Sequence, residues 1–197
     1  MNHRGLPVLS RLFLAALALS VCAATDAPSA PPAQPAQPAQ PAQPAPAPKA
    51  FIKVEFMQRI ARYVDWPQSS FASSSAPFEF CVIGTHPFGS HLATMAQQQK
   101  IKGRSIVLST VTDVTKLASC HALFIAQSED QRLDEILART ASLPILTISD
   151  SRGFGARGVL VNFYADGDNV RFELNMKAVK QSGLTFSPKV VRLARRV

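Results

Sequence analysis

Acidic residues are scarce in this sequence: 13 Asp and Glu stand against 21 Lys and Arg, a net charge of +8 over 197 residues. Such a balance normally raises nucleic acid or an anionic surface as partner. No Lys/Arg run alternates with aromatics, however, so no nucleic-acid partner is expected. Cysteine is rarer still, with Cys22, Cys81 and Cys120 alone. Neither these nor His86, His91 and His121 show the two- or four-residue spacing of a zinc motif, so no metal is expected. The serines include no GxSxG elbow, and acids such as Asp65, Glu79 and Glu173 show no pairing. With no catalytic residues and no cofactor site in view, an enzyme is not expected.

No apolar run reaches the roughly 20 residues that span a bilayer. The run Leu12 to Val21 is flanked by His3, Arg4 and Arg11 and followed by Cys22-Ala23-Ala24. It reads as an export signal over residues 1–24, cleaved after Ala23 or Ala24. A lipoprotein alternative would acylate Cys22, although Val21 stands where such signals prefer Gly, Ala or Ser. Loss of Arg4 and Arg11 lowers the mature charge to about +6. Export also leads to an oxidising compartment, where Cys81 and Cys120 are expected to pair as a disulfide rather than persist as two buried thiols.

Residues 25–48 form a low-complexity Ala/Gln/Pro linker, with Ala-Gln-Pro repeats from Ala33 to Pro44. Nothing there can bury a core, and the proline spacing favours an extended spacer of about 3.1 Å per residue. It is either an inert tail or, if Cys22 is lipidated, a tether.

The folded domain spans residues 49–197. Phe51, Ile52, Val54, Phe56, Met57, Ile60, Ala61 and Val64 recur at helical spacing as far as Trp66-Pro67, with Arg59 and Arg62 off the stripe. Phe78 to Ile83 reads as a strand, with Phe78, Phe80 and Val82 on one face and Cys81 on the other. A short helix from Pro87 to Gln99 and a strand from Ser105 to Ser109 follow. The apolar runs His121 to Ala126 and Ile145 to Ile148 suit strands buried on both faces. Between them, Ser128-Glu129-Asp130-Gln131 predicts a capped helix running to about Arg139.

Two alternating runs around Asp166-Gly167 predict a β-hairpin from Gly158 to Asn175. Val170, Phe172 and Leu174 share its apolar face; Arg171, Glu173 and Asn175 share the polar one. The preceding Gly153-Phe154-Gly155-Ala156-Arg157-Gly158 is a literal GxGxxG, but it leads into a strand and is expected to be a turn, not a nucleotide site. A helix should follow Asn175, run to Ser182 and stop at Gly183. Ser187-Pro188 opens a last helix with Val190, Leu193, Ala194 and Val197 as its stripe. Strands alternating with helices, closed by a hairpin, predict a single-domain α/β sandwich with a mixed sheet.

These pieces, in order, resemble the YfiR family of periplasmic regulators of diguanylate cyclases. The match runs through Tyr63-Val64-Asp65-Trp66-Pro67, Phe80-Cys81-Val82-Ile83-Gly84, His86-Pro87-Phe88-Gly89 and Ser119-Cys120-His121-Ala122-Leu123-Phe124-Ile125. It continues through Leu146-Thr147-Ile148-Ser149-Asp150, Val161-Asn162-Phe163 and Arg171-Phe172-Glu173-Leu174-Asn175 to Ser182-Gly183-Leu184. The resemblance implies a non-enzymatic α/β protein that binds the periplasmic sensor domain of an inner-membrane diguanylate cyclase, represses it, and so lowers cyclic di-GMP and biofilm formation. It also implies an OmpA-like outer-membrane lipoprotein as a second partner, and it admits a homodimer. The family's cysteine pair falls at Cys81 and Cys120, while the second pair of some relatives is missing. The competing reading is a periplasmic domain that binds a small molecule or serves a sensor kinase. Arg62, Trp66, Arg171 and Glu173 are the candidate partner contacts, although Trp66 and the Arg171 row each have a structural alternative in packing and in orienting the next helix.

Overall fold

The computed structural model describes residues 49–197. The export segment, the Ala/Gln/Pro linker and Cys22 therefore lie outside the described residues. From the start of the domain run helix α1 (Ala50–Arg62), strands β1 (Val64–Asp65) and β2 (Phe78–Ile83), helix α2 (His91–Gln98), and strands β3 (Lys100–Ile101), β4 (Arg104–Val111) and β5 (Ala122–Ile125). Helix α3 (Leu133–Thr140), strand β6 (Leu146–Ser149), helix α4 (Phe154–Arg157) and strands β7 (Val161–Asp166) and β8 (Asn169–Leu174) come next. The chain closes with α5 (Met176–Gln181), β9 (Thr185–Phe186), α6 (Pro188–Leu193) and β10 (Arg195–Arg196).

Eight strands make one mixed sheet in the order β10-β8-β7-β6-β5-β2-β4-β3. Strands β4, β2, β5, β6 and β7 are parallel, while β8 and β3 run antiparallel to their neighbours β7 and β4. Helices cover both faces, which is why β5 and β6 are buried at every residue. Phe78, Phe80 and Val82 pack under α1 and α2 with Val54, Met57, Leu92 and Phe124. Cys81 and Ile83 point the other way, into a second cluster with Leu123, Ile125, Leu133, Ile136 and Phe154. The fold is thus the α/β sandwich with a mixed sheet that the sequence predicts.

Local capping follows the sequence at two places. Asn175 Oδ1 accepts from Ala178 N at 2.8 Å to open α5, and Gly183 follows that helix at φ 69°. Ser187 caps α6, with Pro188 in its first turn. The hairpin forms with Asp166 opposite Asn169 and Gly167 at φ 57°, so its tight turn is Gly167-Asp168.

Elsewhere the structure departs from expectation, and each departure has a local cause. Helix α1 stops at Arg62, because Val64 and Asp65 pair with Phe186 and Thr185 in a separate two-stranded ribbon. Phe51 and Ile52, counted in the apolar stripe, are 57% and 41% exposed at its first turn. Ser128 does not cap a helix: its Oγ accepts from Thr85 N at 2.9 Å, and a 3₁₀ segment over Gln127–Arg132 leads into α3. The GFGARG turn contains one helical turn, α4, held between Gly153 at φ 85° and Gly158 at φ 123°. The last helix ends at Leu193, which is 75% exposed. Ala194 is extended, and the chain adds β10 to the edge of β8, with Val197 N donating to Leu174 O at 3.0 Å. Backbone bonds at a free sheet edge have replaced a final helical turn.

Candidate partner-binding residues and their surroundings

Cys81 and Cys120 form a disulfide across 39 positions of sequence, with Cα atoms 5.8 Å apart. Both are buried, and the bridge ties the middle of β2 to the residue that leads into β5. The oxidised pair expected from an even cysteine count is therefore present.

Trp66 follows the short strand β1 and is half-buried. Its ring stands edge-on to Phe78 at 5.0 Å, and Nε1 donates to the His121 carbonyl at 3.1 Å. An indole buried on one side needs such an acceptor. The tryptophan thus anchors the 66–76 segment to the sheet. Beside it lies a cleft of about 490 Å³ lined by Asp65, Trp66, Phe71, Lys102 and Arg104 among others. Lys102 pairs with Asp65 at 2.5 Å, and Arg104 stacks over Phe71 while donating to the Ser73 and Ala76 carbonyls.

The hairpin row predicted to be polar divides in two. Arg171 is exposed and donates from Nε to Asp166 Oδ2 at 2.8 Å. Glu173 and Asn175, by contrast, are buried at 5% and 9% exposure, because α4 and β10 cover that end of the row. One Glu173 oxygen accepts from Asn162 Nδ2 at 3.0 Å, the other from Arg195 Nη2 at 2.5 Å. Asn162 also donates to the Ser151 carbonyl, and Asn175 donates to the Gly155 carbonyl at 2.8 Å. Arg195 is half-exposed, lies 4.0 Å over the Tyr164 ring, and has its pKa raised by the bond to Glu173. Both carboxylate oxygens of Glu173 are therefore engaged inside the protein.

Arg62 lies in the last turn of α1 with Arg59, both exposed. Among the described residues neither forms an ion pair. Of the four candidate contacts, Arg62 and Arg171 present their charge outward, while Trp66 and Glu173 are committed to internal bonds. No hydrogen bond joins any two of the four.

Sequence reasoning passed over the residues that complete these arrangements. Arg195 was placed in a helix, and Asn162 and Gly155 carried no signal of contact with Glu173. His121 read as an ordinary histidine, yet its ring bonds to Glu79 N and Ser70 O at 2.9 Å each. Burial lowers its pKa, against the opposing pull of the Ser70 bond and the Glu79 charge; burial also lowers that of His86. Its position directly after a disulfide cysteine was the only hint available.

Among the described residues, no three His, Cys, Asp or Glu side chains gather where they could hold a metal ion, and no helix is long and apolar enough to cross a membrane.

A family model described as YfiR/HmsC-like matches residues 51–195. Among solved structures, the chain is similar to a conserved domain protein from Vibrio cholerae O1 biovar El Tor, at 11% identity and TM-score 0.50 over 75% of this chain and 59% of that one. It is also similar to an ABC domain in complex with L-Trp from Streptococcus pneumonia, at 11% identity and TM-score 0.49 over 75% and 60%. The chain spans about three-fifths of each of those chains. The likeness to the first concerns the fold alone.

Proposed function

Because the chain belongs to the YfiR/HmsC-like family, matched over residues 51–195, we propose that it binds the periplasmic sensor domain of an inner-membrane diguanylate cyclase and holds that enzyme inactive. Family membership carries the coarser statement, a periplasmic regulator of diguanylate cyclase signalling. Direct binding and repression are the reading built on it.

The physical mechanism is linkage. A partner that binds only the inactive cyclase shifts the enzyme toward that state by its differential affinity, and a second partner that captures the regulator reverses the shift. An OmpA-like outer-membrane lipoprotein would serve as that second partner. Arg62 and Arg171, exposed on α1 and β8, would contact the cyclase domain. The disulfide and the bonds of Trp66 and Glu173 keep the domain rigid, so that docking orders few groups and loses little entropy.

The test is genetic and biochemical together. Deleting the gene is expected to raise cellular cyclic di-GMP, and affinity purification of the chain from solubilised membranes is expected to recover a diguanylate cyclase. Unchanged cyclic di-GMP with no membrane partner recovered contradicts the proposal.

A further inference from the structure

Three stretches of chain meet on the ring of His121. His121 is 7% exposed, and its ring stacks on Phe71 at 4.2 Å with 10° between planes and tilts against Phe78 at 5.2 Å. Its Nδ1 accepts the Glu79 N–H at 2.9 Å and so carries no proton. The proton is therefore on Nε2, which donates to the Ser70 carbonyl at 2.9 Å. The carbonyl of the same residue accepts from Trp66 Nε1. Ser70 and Phe71, on the link between β1 and β2, thus rest on the neutral ring, while Trp66 is tied to the backbone of the same residue.

A second proton would have nowhere to bond. Placed on Nδ1, it would face the Glu79 N–H, donor against donor. The charged groups that face the ring are the Glu79 carboxylate on β2, which favours the cation, and the Arg104 guanidinium on β4, which opposes it. Arg104 lies 3.8 Å from the Phe71 centroid and the His121 ring 4.2 Å from it, so the two occupy opposite faces of the phenyl ring.

What would yield on protonation is defined by what is held elsewhere. His121 N donates to Glu79 O and Leu146 N donates to His121 O, both at 2.9 Å, and the adjacent Cys120 is bridged to Cys81. The backbone beneath the ring is therefore fixed. At the far end of the link, Arg104 Nη1 holds the Ser73 and Ala76 carbonyls. Between these points the His121 ring holds Ser70 and Phe71, Arg104 covers the other face of Phe71, and Trp66 is tied to the fixed His121 carbonyl.

We infer that His121 is a proton-operated latch: protonation at Nδ1 breaks the bond from the Glu79 amide, moves the ring off Phe71, and frees Ser70 and Phe71 while the sheet stays folded and Trp66 keeps its bond to the His121 carbonyl. The cleft lined by Trp66, Phe71 and Arg104 changes shape with it. Mild acidity thereby alters one surface of the regulator without unfolding it.

Trp66 is the only tryptophan, so its emission reports the latch without a label. The full exported chain is titrated from about pH 8 to about pH 5, bracketing the ordinary histidine range, by proton NMR of the His121 ring, tryptophan emission and far-UV circular dichroism. The ring is expected to titrate below the ordinary value of 6.5. Emission should change with the same midpoint while the far-UV signal stays flat. In His121→Asn, whose Oδ1 still accepts from Glu79 N but cannot be protonated, the emission change should vanish. Glu79→Gln removes the charge that favours the cation, so it should move the midpoint to lower pH, and this readout decides the matter if the asparagine variant does not fold. An emission transition that survives in His121→Asn, a midpoint unmoved in Glu79→Gln, or a ring that titrates with constant Trp66 emission would overturn the inference.

Discussion

Gly155 lies directly against Glu173: a Cβ added at Gly155 would overlap the carboxylate, with Glu173 Cδ at 2.9 Å and Cγ at 3.0 Å. The glutamate cannot swing away freely, because Asn162 and Arg195 hold its two oxygens. Gly155→Ala is therefore expected to destabilise the domain by about 1–3 kcal/mol, the usual cost of forcing atoms into a filled site. Thermal unfolding should show it as a drop in Tm of roughly 2–4 °C per kcal/mol.

Removing the carboxylate itself separates structure from recognition. Glu173→Ala leaves the buried Asn162 amide without one acceptor, a loss of about 1–3 kcal/mol in stability. Arg195 contributes less, since its side chain is 55% exposed and finds water instead. Glu173→Gln should cost less than the alanine change. The folded fraction of either variant is expected to bind the cyclase domain as the parent does, checked by titration at matched folded concentration.

Arg62→Ala is expected to behave in the opposite way. It removes an exposed charge with no ion pair among the described residues, so Tm should stay within about 1 °C. Affinity for the cyclase domain should fall by roughly fivefold or more, about 1 kcal/mol. Parallel calorimetry and binding titrations check both halves.

Reduction of the bridge, or Cys81→Ser with Cys120→Ser, opens a loop closed across 39 positions. The chain-entropy model puts the loss at about 4 kcal/mol. Denaturant melts with and without reductant measure it; equal midpoints would show that the bridge adds nothing.

Stability should also depend on pH through His121. Its pKa is lowered in the folded state relative to the ordinary 6.5, so the unfolded chain binds the proton more readily. The contribution is complete above pH 6.5 and is lost as pH falls below that value toward the folded pKa. His86 acts in the same direction, since burial lowers its pKa too. Melts across this range should show stability rising with pH, with a smaller slope in His121→Asn.

The sheet was legible in the sequence wherever a strand is long or buried on both faces. Phe78 to Ile83 and the apolar runs ending at Ala126 and Ile148 declare themselves by alternation or by unbroken apolarity. Strands β1, β9 and β10 have two residues each, too few to carry a period; β1 and β9 exist by pairing with each other, and β10 by adding to the free edge of β8. For the same reason Arg195 read as part of a helix. Glu173 looked solvent-facing because alternation describes one strand, whereas its burial is supplied by Gly155, Asn162 and Arg195. The cap at Ser187 and the stop at Gly183 were legible because they are local chemistry. The role of His121 was not, since its bonds reach 42 and 51 positions away.

The central claim is that this chain represses a membrane diguanylate cyclase by binding it. The most direct measurement is the rate of cyclic di-GMP synthesis by that cyclase in oriented membranes, with the purified chain added on the periplasmic side. The account predicts a saturable fall in rate, with more of the Arg62→Ala variant needed to reach the same inhibition. A rate that stays constant up to full occupancy of the cyclase domain by the chain would contradict it.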